Sequence, residues 1–78
     1  MRDIPWNRIT VDEYVFLCEP DDQEMAVLSC WSAGESVAYT AYHTHMSDSS
    51  VEKIRARIRQ KYDAVQPYTP LLPERPGR

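Results

Sequence analysis

The ten residues "SVAYTAYHTH", Ser36 to His45, decide the fold. Valine, tyrosine, threonine and histidine are poorer helix formers than alanine or leucine. β-Branched and aromatic residues also suit a pleated sheet. Read as a strand, residues 36–42 pair with residues 25–31 across "SAGE", and Leu28, Cys30, Val37 and Tyr39 share one face. That reading gives an α+β fold, a three-stranded antiparallel meander with one packed helix. Read as a helix, the stretch completes a small, mainly α, tri-helical domain. Its neighbours favour the helix.

Immediately upstream, "DDQEMAVLSCWSAG" carries helix punctuation at both ends. Asp21 and Glu24 stand three residues apart, the spacing of a capping box. Met25, Leu28 and Trp31 follow at helical spacing, and Gly34 sits where a left-handed C-terminal residue is wanted. Further upstream, "ITVDEYVFLCEP" offers Thr10 and Glu13 as another capping box. Val11, Tyr14, Leu17 and Cys18 then share a helical face, and Pro20 ends the element. Trp6, next to Pro5, is suited to pinning an irregular N-terminal arm to the core.

Downstream, "SDSSVEKIRARIRQKYDAV" is the clearest helix in the chain. Ser47 is a good N-cap, and Asp48 suits the positive end of the helix dipole. Val51, Ile54, Ile58, Tyr62 and Val65 form one apolar stripe. Lys53, Arg55, Arg57, Arg59 and Lys61 fill much of the remaining circumference. Pro67 closes the helix. These signals predict one domain over residues 1–66 and a Pro-rich extended tail over 67–78, in which Tyr68, Leu71 and Leu72 are the residues suited to docking.

The chain has 78 residues and a net charge of −3. The charge is uneven. Residues 1–50 hold two bases against nine acids, and residues 51–78 hold seven bases against three acids. The basic half suits phosphates or an acidic partner. No stretch approaches the ~20 apolar residues of a membrane span, and the N-terminus lacks the apolar core of a secretory signal. These features predict a cytoplasmic protein without a membrane partner. In that compartment Cys18 and Cys30 are expected as reduced core residues.

Catalytic and metal patterns are weak. His43 and His45 point the same way in a strand but diverge by about 200° in a helix. Their spacing from the cysteines does not fit the close Cys and His pairs of a zinc finger. There is no glycine-rich phosphate loop, since the chain has two glycines. The expectation is a non-enzyme with no metal and no cofactor.

Read as helices, residues 21–62 run in the order of a helix-turn-helix. Small Ala41 stands where the two short helices cross. Met46 plugs the core before the last helix, Ser47 caps it, and Val51 starts its stripe. In these residues the segment resembles the DNA-binding domain of the LuxR/GerE family. The likeness rests on "VLSCWSAGES", Ala41, "MS" at Met46–Ser47 and "SV" at Ser50–Val51, and covers about half the chain. The chain departs from the family at Thr40 and Thr44, where large aliphatic residues are usual, and at His45, where a turn glycine is usual. The Pro-rich tail replaces the short helix that follows in the family.

The resemblance implies a sequence-specific transcriptional regulator that binds double-stranded DNA, with the helix from Ser47 as recognition helix. Ser49, Ser50, Lys53 and Arg57 are then expected on the DNA-facing side, with Arg55, Arg59 and Lys61 reaching the backbone. A homodimer is usual for such a reader, although no zipper specifies one. The competing function is an acidic protein-interaction module of bacterial or phage type. It would bind and inhibit a regulator, RNA polymerase or a nuclease, using exposed aromatics among Trp6, Trp31, Tyr39, Tyr42 and Tyr68.

Overall fold

The computed structural model describes residues 4–75, so the outermost residues of the expected arm and tail lie outside the described residues. Four helices follow in chain order: α1 (Arg8–Cys18), α2 (Asp22–Ser32), α3 (Val37–Thr44) and α4 (Asp48–Val65), with a short 3-10 turn at Gln66–Tyr68. The fold is mainly α. There is no strand among the described residues, so the meander is not formed.

Residues 36–45 are helical for reasons that propensity alone does not contain. Ser36 caps α3 by accepting from the Tyr39 amide. The Thr40 hydroxyl donates to the Ser36 carbonyl at 2.8 Å, and the Thr44 hydroxyl donates to the Thr40 carbonyl at 2.6 Å. Each threonine thus satisfies its hydroxyl on the preceding turn of its own helix. That lets Thr40 be fully buried without an orphaned polar atom. His45 ends the helix in the left-handed region at φ 59°, and the Met46 amide donates back to the Ala41 carbonyl. The turn therefore forms around a non-glycine residue.

α2 keeps both of its expected ends. Asp21 accepts from the Glu24 amide, and the Glu24 carboxylate accepts from the Asp21 amide. At the other end Gly34 adopts φ +86°. Its amide donates to Trp31 and the Glu35 amide to Cys30, the paired bonds that close a Schellman motif. A Cβ on Gly34 would meet nothing within 4 Å, so only the backbone opposes a side chain there. Gly34→Ala is expected to cost about 1 kcal/mol. Differential scanning calorimetry should show a melting temperature lower by roughly 4–8 °C.

α1 starts earlier than its sequence suggests. Asn7 is the N-cap, and Thr10 is its partner three residues on rather than the cap itself. Asn7 accepts from the Thr10 amide, and the Thr10 hydroxyl accepts from the Asn7 amide. Thr10 and Tyr14 are buried, while Leu17, on the flank of their face, is exposed. Glu13 is thereby free of capping and instead accepts from the Thr69 hydroxyl at 2.7 Å.

The core joins all four helices. Tyr14, Val27, Leu28, Trp31, Val51, Ile54, Ile58 and Tyr62 are buried in one cluster. Trp6, partly buried, packs against this cluster. Its ring meets Tyr14, Trp31 and Tyr62 edge-on at centroid separations of 5.7, 5.7 and 5.8 Å. Such edge-to-face contacts add to the area they bury. The chain after α4 also returns to the core. Leu72 is buried, the Tyr62 hydroxyl donates to the Pro73 carbonyl, and Arg75 forms a two-pronged pair with Asp63. Both cysteines are free thiols.

Burial pushes the Tyr14 hydroxyl far above its ordinary 10.0, with Cys18 and Glu24 adding to the rise. Burial likewise raises Tyr62, helped by Asp63, and raises the Cys18 thiol above 9.0. All three groups hold their protons in the folded state at pH values where the unfolded chain releases them. Their contribution is therefore complete at neutral pH and is lost as pH rises. Stability measured by urea titration should be level from neutral to about pH 9 and fall steadily above about pH 10. Tyr14→Phe is expected to make that alkaline fall shallower.

Candidate nucleic-acid interface

α4 owes its position to the stripe Val51, Ile54, Ile58 and Tyr62, all buried. At about 100° per residue, the opposite face carries Ser49, Lys53, Ala56 and Gln60. Each of these is exposed, as are Glu52 and Arg57. The first turn is held by Ser47, whose hydroxyl oxygen accepts from the Ser50 amide at 3.1 Å. The Ser47 hydroxyl also lies 2.9 Å from that of Ser50 and 3.2 Å from that of Ser49. The three serines form a compact rim at the positive end of the α4 dipole.

The seven residues singled out from the sequence divide into two groups. Ser49, Ser50, Lys53 and Arg57 lie on the outward side or its edge. Ser50, Lys53 and Arg57 line a shallow groove with Gln23 and His45, between the start of α2 and the turn before α4. Lys53 and Arg57 are one turn apart, so their charges point along one line. Arg55, Arg59 and Lys61 are engaged within the molecule. The Arg55 guanidinium donates to the Glu35 carbonyl at 2.9 Å and lies 4.8 Å from the Trp31 ring. Arg59 lies 5.0 Å from the same ring. The two guanidiniums share one aromatic partner through cation–π attraction.

Lys61 meets Glu24. Its ammonium donates to both carboxylate oxygens, at 3.2 and 2.9 Å. Glu24 is 2% exposed and Lys61 38% in their side chains. The carboxylate is thus desolvated and depends on its partners, while the ammonium keeps contact with water. Arg57 stands further off, 3.9 Å from Glu24 Oε2. Glu24 therefore does two things: it closes the capping box of α2 and ties α2 to the C-terminal half of α4. Its capping role is visible in the local spacing. Its second role, and that of Trp31, depend on contacts between helices and leave no local signature.

Together, these contacts fix how α4 lies on α2. Trp31 with Arg55 and Arg59 braces one flank, and Glu24 with Lys61 braces the other. Between the braces the outward face is small, polar and basic at Lys53 and Arg57. Asp48 and Glu52 flank it and restrict where a phosphate can approach. Among the described residues no three His, Cys, Asp or Glu side chains gather into a metal-holding set. No helix among them is long and apolar enough to cross a membrane. Comparison of the chain with protein-family models, curated proteins and solved structures finds no match.

Proposed function

We propose that this chain is a small helix-turn-helix protein of LuxR/GerE type that binds double-stranded DNA in the cytoplasm and regulates transcription. The observation that carries this reading is the bracing of α4. A short turn leads from α3 into a longer helix whose inner face is packed, whose two flanks are tied down, and whose outer face is left to solvent. Ser49 and Ser50 offer hydroxyls at the helix start, where a groove-entering helix meets base edges and phosphates. Lys53 supplies a phosphate contact. Arg57, at the edge, has the planar fork that suits a phosphate or the O6/N7 edge of guanine. Glu52 suits the amino group of cytosine and penalises other bases there.

Three bases spent inside the molecule leave few for phosphates, so the affinity is expected to be modest and to depend on neutralising about two to four phosphates per chain. Fluorescence anisotropy with a labelled duplex of mixed sequence tests this. Binding should strengthen as salt is lowered, with a slope of log K against log salt of roughly −2 to −4. Absence of binding at about 20 mM salt would end the DNA reading. Function would then pass to a protein partner such as a regulator, a polymerase or a nuclease. The exposed Phe16, Ile9 and Leu17 on α1 are the observation that favours that second reading.

A further inference from the structure

We infer that His45 is a pH-dependent contact to a backbone phosphate of duplex DNA, seated in the groove between the start of α2 and the turn before α4. This contact rests on the DNA reading and adds to it a residue outside α4 and a control by pH. The groove has a volume of about 410 Å³. Its polar lining comes from Gln23 of α2, His45 of the turn, the Ser47 cap, and Ser50, Lys53 and Arg57 of α4. Among the described residues no carboxylate lines it, in a chain of net charge −3. At about 100° per residue, Asp48 and Glu52 lie about 160° round α4 from Ser50. The outward face of α4 thus has a cationic edge at the groove and an anionic edge opposite. A phosphate is favoured on the first edge and repelled from the second. The groove is also shallow and open, which suits a strand lying across it. A small anion there would keep most of its surface in water.

The backbone at His45 gives no reason for an imidazole. It stands at φ 59°, a region that glycine enters without steric cost. The bond that closes the end of α3, from the Met46 amide to the Ala41 carbonyl, uses backbone atoms alone. The side chain is exposed on the rim of the groove. Lys53 and Arg57 share that groove with it from α4. On its other side a neighbouring hollow brings Asp22 and Gln23 of α2 and His43 of α3. Glu24 lies near Arg57 and is held by Lys61. The two cations of α4 oppose a proton on His45, and Asp22 favours one. A phosphate in the groove adds negative charge beside the ring, and an imidazolium offers it two N–H donors. The complex therefore holds the proton more firmly than the free chain does. By reciprocity, DNA binds more tightly as the pH falls through the range in which histidine becomes charged.

Fluorescence anisotropy with one labelled duplex at about 20 mM salt, repeated from about pH 7 to about pH 5.5, tests the inference. The parent chain should bind roughly three- to tenfold more tightly at the acid end. His45→Asn should lose most of that increase. Asparagine tolerates the left-handed backbone, so its circular dichroism and melting temperature should stay close to those of the parent. His45→Arg carries its charge at every pH. At about pH 7 it should bind as tightly as the parent does at about pH 5.5, with little further change on acidification. The chain has two histidines, and His43→Gln should keep the parent profile. A His45→Asn variant that keeps the parent's acid increase would overturn the inference and leave the DNA reading standing. So would an increase that disappears in His43→Gln instead. A duplex that fails to bind at every pH would overturn both.

Discussion

Replacing Ile58 by alanine is expected to remove about 2–5 kcal/mol of folding stability. Ile58 is fully buried at the centre of the α4 stripe. A chain of 78 residues has only about 4–12 kcal/mol to lose. The urea midpoint should therefore fall by about a sixth at the least, and at the upper end of the loss the variant should be largely unfolded at room temperature. Alanine has the higher helix propensity, so the local helix effect acts in the opposite direction. Any loss measured is then a loss of packing. Gln60→Ala on the outward face of the same helix is the matched control, and its change should stay within about 0.5 kcal/mol. Equal losses at both positions would contradict the burial of this stripe.

The second large effect concerns binding. Lys53→Glu reverses a charge at an exposed position on the proposed DNA face. It is expected to weaken duplex binding by at least about tenfold at low salt and to reduce the steepness of the salt dependence by about one unit. Its melting temperature should stay close to that of the parent, since Lys53 is exposed. Arg57 is the companion position, but glutamate there would set a second carboxylate near Glu24, which lies 3.9 Å from the present guanidinium. Arg57→Gln is the cleaner variant, because it removes the charge without adding repulsion. Lys61→Gln should behave differently. It leaves the buried Glu24 carboxylate with a weaker partner and should lower stability as well as binding. A Lys53→Glu variant that binds like the parent would remove this face from the account.

Much of the fold is legible in short stretches because its determinants are local. The Asp21–Glu24 box, Gly34, Ser47 and the stripe from Val51 to Tyr62 each work within one or two turns of chain. α1 shows how a local rule misleads when its phase is wrong. Thr10 was the right residue for a capping box, but its partner is Asn7, three residues before it. With Thr10 and Tyr14 at the centre of the buried face, Leu17 lies on its flank and is exposed, and Glu13, not needed for the cap, holds Thr69. Residues 36–45 show a different limit. Propensity averages over hydroxyls that face solvent, whereas Thr40 and Thr44 place theirs on the carbonyls of the preceding turn. The candidate site was legible only in its spacing. Sequence places five bases around α4 but does not say which are held inside. Glu24 is 37 residues from Lys61, and Trp31 belongs to a different helix from Arg55 and Arg59. Those pairings exist only once α2 and α4 pack together.

The central claim is that the outward face of α4, and not α1, meets DNA. Amide chemical shifts of the isotope-labelled chain, recorded while a short duplex is titrated in at low salt, test it most directly. The account predicts that the largest shifts fall on Ser49, Ser50, Lys53 and Arg57, fade when salt is raised, and leave Phe16 and Leu17 unmoved. Shifts concentrated on α1, or none at all under those conditions, would contradict it.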